Sequence, residues 1–141
     1  MIRIIDSCVA VKWLVEEEHS DLAAAVLGEP GRRLVPELLF AEVGNALWKR
    51  QRSGELDATA VAGALRALPQ LVHEVVPILG VIERAAGIAC GIGHPVYDCV
   101  YLALAEAHGA ELITADRKLV TRARSAGLGQ RIRLIGASEA E

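Results

Sequence analysis

Two short apolar runs, each followed by an acidic residue and the start of a helical pattern, most constrain the fold of this chain. Ile2–Ile5 leads into Asp6, and Glu111–Ile113 leads, through Thr114, into Asp116. In each segment a short β-prone run is followed by a polar cap residue and then by helical periodicity. This order of patterns marks the end of a buried strand and the beginning of a helix. In an open α/β sheet, ligands bind outside the carboxyl ends of the strands. We therefore expect Asp6 and Asp116 to stand at the ligand-binding edge of such a sheet.

The rest of the chain alternates between the same two patterns. Such alternation predicts an α/β sandwich, with a central, mostly parallel sheet and helices on both faces. The 141 residues fit a single domain spanning 1–141, large enough to bury a core. Helical patterns cover Val9–Glu18, Leu22–Leu27, Pro36–Ser53 with Pro36 in the first turn, a segment capped by Asp57, Leu79–Cys90, Val96–Ala105 and Arg117–Ala126, and further strand patterns cover Leu34–Val35, Leu71–Val76 and Ile132–Ile135.

Composition narrows the setting of the protein. Hydrophobic residues make up 52% of the chain and aromatic residues only 4%, which suits helices packed on a buried parallel sheet. The spare apolar surface favours self-association or a partner. Cys8, Cys90 and Cys99 lack metal-ligand spacing and are typical of free thiols in a reducing compartment. Because the sequence has neither a secretory signal nor an apolar run of about 20 residues, we expect a cytoplasmic protein without a membrane segment.

The net charge of −3 does not exclude a nucleic acid partner. If four acids bind a metal, the remaining residues carry a slight positive charge. Basic residues cluster at 49–52 and again at 117–133. An acidic pocket in a basic surround is compatible with a phosphate polymer. The alternative, that these charges only solvate helix faces, stays open.

Four acids stand where solvation alone would not place a charge: Asp6, Glu42, Asp98 and Asp116. Asp6 and Asp116 could be ordinary helix caps. Asp98 could lie in the first turn of a helix, where the helix dipole favours an anion. Glu42 lies on an apolar helix face, where an unpaired carboxylate is costly. Together the four favour a functional site.

Carboxylates forced together repel one another, and a divalent cation removes that conflict. All-oxygen ligation selects Mg²⁺ or Mn²⁺ over zinc. Such an ion can polarise a phosphoryl oxygen and orient a water for in-line attack, with one acid as the base. The histidines have no ligand spacing among themselves and fit surface or loop positions: His19, His73, His94 and His108.

Three polar residues are candidates to support the acids or to contact substrate. Ser7 and Thr114 flank the strand-end acids, and Asn45 shares the helix face of Glu42. Ordinary capping, turn or surface roles remain alternatives. Four aromatic residues could stack on bases, although apolar helices favour core positions for them: Trp13, Trp48, Tyr97 and Tyr101. No GxGxxG or GxxxxGK[ST] phosphate loop occurs in the sequence.

Taken together, these segments resemble the PIN-domain ribonucleases, and within them the VapC-type toxins of toxin–antitoxin modules. The resemblance spans nearly the whole chain in order and is specific as a set. The matching segments are Ile4–Ser7 with Val11–Leu14, Val35–Leu47, Val96–Asp98 with Tyr101–Ala105, and Leu112–Leu119.

The resemblance implies a PIN-like three-layer sandwich with Mg²⁺ or Mn²⁺ held by Asp6, Asp98 and Asp116, directly or through water. It also implies that Glu42 bridges to the metal or to the attacking water. The implied activity is endonucleolytic cleavage of RNA. The resemblance also implies that a small VapB-like antitoxin inhibits this activity, typically by inserting a basic side chain, and that the protein forms a homodimer. The helix after Asp57 is a plausible contact surface.

Two other hypotheses remain open. The chain could be a PIN nuclease that processes RNA outside a toxin–antitoxin system. It could also be a non-catalytic PIN-like or flavodoxin-like scaffold whose acids are helix caps. A receiver-type phosphoacceptor is disfavoured because strand one ends in a lone acid.

Overall fold

The computed structural model describes residues 1–136, and the last five residues lie outside the described part. Five parallel strands form one sheet in the order β3-β2-β1-β4-β5. The strands are β1 (Ile2–Ile5), β2 (Arg32–Pro36), β3 (Glu74–Val76), β4 (Glu111–Thr114) and β5 (Ile132–Leu134).

Helices connect the strands in the alternation predicted from the sequence. They are α1 (Ser7–Leu14), α2 (Ser20–Leu27), α3 (Leu38–Arg52), α4 (Ala58–Ala67), α5 (Ile82–Ile92), α6 (Val96–His108) and α7 (Arg117–Ser125), with short 3₁₀ turns at Leu68–Leu71 and Gly129–Arg131. The predicted α/β sandwich is confirmed, and every strand pair in the described residues is parallel.

The central strands are covered on both faces. Consecutive side chains of a strand point to opposite faces, and Ile4 and Ile5 of β1 are both fully buried, as are Leu112 and Ile113 of β4. Continuous burial of this kind requires a helix layer on each side. α6 packs on β1, β2 and β4, whereas α1 packs against α2 and α3.

The strand order places a switch point beside β1. The chain runs from β1 to β2 and β3 on one side, and then returns to β4 and β5 on the other. In open α/β sheets the ligand-binding crevice lies at such a switch point, outside the carboxyl ends of the strands. Here those ends carry Asp6 and Thr114.

Several helix boundaries differ from the sequence prediction. α1 ends at Leu14 and not near Glu18, since Val15 is extended. Pro36 is the last residue of β2 and not part of a helix first turn, because α3 begins at Leu38. The predicted helix from Leu79 begins at Ile82 and continues through Gly91 to Ile92.

Across residues 1–136, no helix alone has the length and apolarity needed to cross a membrane. α5 and α6 together meet the criterion by length and composition, with a bend of 116° between them.

Candidate metal centre

Asp6 and Thr114 join the carboxyl ends of the two central strands. The backbone N–H of Asp6 donates to the carbonyl of Ile113 at 3.0 Å, which continues the sheet by one residue. The Thr114 hydroxyl donates to Asp6 Oδ2 at 2.6 Å. Both side chains are buried, and Asp6 is only 3% exposed. The local switch from strand to helix therefore delivers a carboxylate into the protein interior.

The buried position of Asp6 is costly for its charge. Burial raises the pKa of Asp6 from 3.8 to about 6, the hydrogen bond from Thr114 opposes this rise, and the nearby Asp98 carboxylate adds to it. The Ser7 hydroxyl lies 3.5 Å from Asp6 Oδ1, so its hydrogen bond is weak. Without a cation, Asp6 is an uncompensated anion at neutral pH.

Glu42 faces the same crevice from α3. Its neighbours Leu39 and Val43 are fully buried and hold this face of α3 against the core. Tyr101 of α6, which is also buried, donates its hydroxyl hydrogen to Glu42 Oε1 at 2.6 Å. Partial burial raises the pKa of Glu42 to about 7, the bond from Tyr101 lowers it, and the charges of Asp6 and Asp98 raise it further.

The hydroxyl of Tyr101 stays protonated beside this carboxylate. Burial raises the pKa of Tyr101 far above its ordinary value, and the charges of Asp6 and Glu42 raise it further. Tyr101 is therefore a permanent hydrogen-bond donor that fixes one oxygen of Glu42.

Replacing Tyr101 by Phe should destabilise the metal-free protein. The change removes the donor to a partly buried carboxylate, which costs about 1–3 kcal/mol when the carboxylate is charged. Urea unfolding above about pH 7 measures this loss. Tyr97→Phe is the matched control, because Tyr97 lies on the same helix but is 66% exposed, and it should change stability by less than about 0.5 kcal/mol. Equal effects of the two substitutions would contradict the assigned role of the Tyr101 hydroxyl.

Asp98 and Asp116 meet around His94, which was predicted to lie at the surface or in a loop. Asp98 lies in the first turn of α6, and Asp116 is the N-cap of α7, where its Oδ1 accepts from the Leu119 N–H at 3.1 Å. His94 Nε2 lies 2.7 Å from Asp98 Oδ2 and 3.8 Å from Asp116 Oδ2. One possible ligand atom from each of the three residues lies within 4.8 Å of the others.

The prediction for His94 is right about the loop and wrong about the surface. His94 lies in the loop between α5 and α6, but its side chain is buried beside two acids. A signal for this contact was present, since His94 precedes Asp98 by four residues and is followed by Pro95.

Thr114 connects the two halves of the site. Besides donating to Asp6, its Oγ1 accepts the backbone N–H of Asp116 at 3.0 Å. Cys8 lies beside it, with its sulfur accepting the Ala115 N–H at 3.3 Å. The predicted acids therefore lie around one crevice, with Asp6, Glu42 and Asp98 electrostatically coupled and Asp98 and Asp116 joined by His94.

Asn45 is not part of this network. It is exposed, and no hydrogen bond joins it to Glu42 within residues 1–136. Tyr101 takes the supporting place beside Glu42 that was predicted for Asn45.

The aromatic residues divide between core and surface. Tyr101 is buried, and Trp13 is partly buried with its indole N–H donating to the Ala23 carbonyl at 2.8 Å. Trp48 and Tyr97 are 46% and 66% exposed, so the core interpretation is wrong for these two.

The donor set fits a divalent cation. In the described part of the chain, every ion pair made by Lys or Arg goes to other acids: Glu17, Glu29, Glu55, Glu74, Glu106 and Glu111. The four clustered carboxylates therefore lack a compensating Lys or Arg among the described residues. Burial, and then the charges of neighbouring acids, raise the pKa values of Asp6 and Glu42. The group formed by His94, Asp98 and Asp116 could hold a metal ion.

Comparison with known proteins identifies the family. The profile of the PIN domain matches residues 3–124. The chain is 31% identical over 127 residues to Ribonuclease VapC3 of Pyrobaculum aerophilum, covering 86% of this chain and 95% of the relative.

Solved structures share the fold. A crystal structure of PAE2754 from Pyrobaculum aerophilum superposes with a TM-score of 0.68 at 24% identity, over 86% of this chain and 84% of the other. A toxin–antitoxin complex from Klebsiella pneumoniae superposes with a TM-score of 0.54 at 17% identity, over 81% and 86%. With a profile match over most of its length and a relative at this level of identity, the chain belongs to the PIN-domain family.

Proposed function

We propose that this protein is a VapC-like toxin, a metal-dependent endoribonuclease that hydrolyses RNA phosphodiester bonds and is inhibited by a cognate small antitoxin. The observation that carries the proposal is the convergence of four carboxylates, without Lys or Arg partners in the described residues, at the switch point of the sheet. The similarity to a protein named as a VapC ribonuclease gives the substrate class.

Asp6, Asp98 and Asp116 are the proposed ligands of Mg²⁺ or Mn²⁺. When bound, the ion supplies Lewis acidity toward the phosphodiester and the attacking water. Thr114 orients Asp6, and the first turn of α7 orients Asp116. These side chains are fixed by the fold before substrate arrives, as preorganised catalysis requires.

Glu42 is the proposed general base. Its pKa of about 7 lies near the working pH, so it is partly ionised and able to take a proton from water. Tyr101 fixes Oε1 through its hydrogen bond, and Oε2 is the proposed acceptor of that proton. Ser7 and Thr114 are proposed to support the acids, and the exposed Asn45 is proposed to contact RNA.

The proposed partners are RNA, a VapB-like antitoxin and a second copy of the chain. None of the residues of α4 is buried, and Trp48 of α3 is exposed with the Arg52 guanidinium 5.2 Å from the centroid of its ring. These features support α3 and α4 as contact surfaces. We further propose that residues 1–141 act as a single domain and that the site of action is the cytoplasm, where RNA is available.

Purified protein incubated with total cellular RNA tests this proposal. We expect internal cuts with Mg²⁺ or Mn²⁺, loss of cutting when EDTA is added, and recovery when excess metal is returned, because the carboxylates need the ion to act together. Cleavage that persists in EDTA, or absence of cleavage with either metal, would contradict the proposed nuclease.

The toxin role needs a separate experiment. Induced expression should arrest growth, and co-expression of a small protein encoded beside the gene should relieve the arrest and co-purify with the chain. Cleavage in vitro without growth arrest or a co-purifying inhibitor would favour an RNA-processing nuclease outside a toxin–antitoxin system.

A further inference from the structure

His94 is buried with its ring facing two acids of the site. Its side chain is 4% exposed. The loop that carries it is held in place because Gly93 adopts a left-handed conformation with φ +66°, and because the Arg122 guanidinium of α7 donates to the Gly93 carbonyl. Pro95 then caps α6. The ring is therefore positioned by the backbone on both sides.

The possible ligand atoms around His94 lie close enough together for one ion to bind all three. Nε2 lies 2.7 Å from Asp98 Oδ2 and 3.8 Å from Asp116 Oδ2. In an octahedral sphere with bonds of about 2.1 Å, adjacent ligand atoms are separated by about 3 Å. The first distance is close to this spacing, the second is about 1 Å longer, and the two acids come from different helices.

The two ring nitrogens of His94 have different surroundings. Nε2 faces the acids and lies within hydrogen-bond distance of Asp98 Oδ2, whereas Nδ1 is buried and has no hydrogen-bond partner among the described residues. Nε2 is therefore the ring nitrogen that an ion between Asp98 and Asp116 would meet, and the ion would replace the hydrogen bond between Nε2 and Asp98.

We propose that His94 is a nitrogen ligand of the metal centre and that, with Asp98 and Asp116, it makes the site prefer Mn²⁺ over Mg²⁺. The inference rests on the proposed nuclease function and deepens it. Carboxylate and water oxygens suit both Mg²⁺ and Mn²⁺, whereas an imidazole nitrogen suits first-row transition metals better than it suits Mg²⁺. A face with one nitrogen and two carboxylates should therefore bind Mn²⁺ more tightly than Mg²⁺.

Direct metal binding tests this assignment without any reference to activity. Mn²⁺ bound to the wild-type protein should show the ¹⁴N hyperfine coupling of an imidazole in pulsed electron paramagnetic resonance. His94→Gln should lose this coupling, and its affinity for Mn²⁺ should fall about 10–100-fold, while its affinity for Mg²⁺ should change by less than about threefold. Gln keeps an N–H donor for Asp98 but offers no imidazole. His108→Gln is the matched control, since His108 is an exposed histidine on α6.

Two results would overturn the inference while leaving the proposed function intact. One is absence of imidazole coupling in the Mn²⁺-bound wild-type protein, a measurement that needs no variant to fold. The other is an equal loss of Mn²⁺ and Mg²⁺ affinity in His94→Gln, which would make His94 a donor that only orients Asp98. A wild-type protein that binds neither ion would instead contradict the proposed metal-dependent function itself.

Discussion

Asp116→Asn should lower the rate of RNA cleavage by about three orders of magnitude and abolish growth arrest. A metal-held charge contributes several kcal/mol to a phosphoryl-transfer transition state, and each factor of ten in rate corresponds to about 1.4 kcal/mol. Asn lacks the negative charge of Asp116, which we propose as a metal ligand. Its side-chain oxygen can still accept from the Leu119 N–H, so α7 keeps its cap. Single-turnover cleavage of a labelled RNA measures the rate.

The chain contains a matched control for this substitution. Asp57 caps α4 in the same manner, with Oδ1 accepting from the Ala60 N–H at 2.7 Å, but it is exposed and outside the carboxylate cluster. Asp57→Asn should cleave RNA at nearly the wild-type rate and unfold at a similar urea concentration. Equal activity of the two variants would show that Asp116 is only a helix cap, as the non-catalytic scaffold hypothesis requires.

The fold was predictable because its signals are local. β1 and β4 are short apolar runs that end at a polar residue, and this change in character fixes the end of the strand within a residue. Pro36 was misplaced because two local rules compete for it. Proline suits the first turn of a helix, but it is also tolerated at a strand position where its missing N–H breaks no ladder hydrogen bond. The pairing of Pro36 with Val76 decides between them, and that pairing depends on tertiary structure.

The acids of the site were predictable for a different reason. Asp6 and Asp116 follow strands, and Glu42 interrupts an apolar helix face, so each is unusual within its own segment. The parallel topology, which brings the carboxyl ends of strands together, predicted the proximity of Asp6 and Asp116. The place of Glu42 and Asp98 beside them was implied by the resemblance to the PIN-domain family.

The partners of these acids were not accessible to the same reasoning. Tyr101 donates to Glu42 across 59 positions of sequence, and nothing near Tyr101 distinguishes its hydroxyl from that of a core tyrosine. His94 precedes Asp98 by four residues, but it lies in a Gly-His-Pro loop that indicates only a break between helices, so the spacing alone does not give the direction of the ring. The exposure of Trp48 and Tyr97 also depends on which part of each helix other elements cover, and helical periodicity does not predict this.

Asp6→Asn should stabilise the metal-free protein while abolishing its activity. Burial raises the pKa of Asp6 from 3.8 to about 6, so the folded state holds this proton more tightly than the unfolded state does. Stability therefore falls as pH rises between these two values, and the cost of the charge above about pH 6 is about 3 kcal/mol. Asn carries no charge and can still accept the hydrogen bond of Thr114. Urea unfolding in EDTA at about pH 8 should show a gain of up to about 3 kcal/mol.

The pH and the metal both provide controls for this prediction. At about pH 4 the stability gained by Asp6→Asn should be a small fraction of the gain at about pH 8, because Asp6 is largely protonated in the folded wild type. Mn²⁺ at about 100 times its Kd should stabilise the wild type by about 2.7 kcal/mol and the variant by less, since the variant lacks a proposed ligand. Asp21→Asn, at an exposed position in the first turn of α2, should change stability by less than about 0.5 kcal/mol. A variant that is less stable than wild type at about pH 8 in EDTA would mean that the Asp6 charge is compensated without a metal. The charge of Asp6 would then not destabilise the metal-free fold, and this destabilisation could no longer support a cation in the crevice.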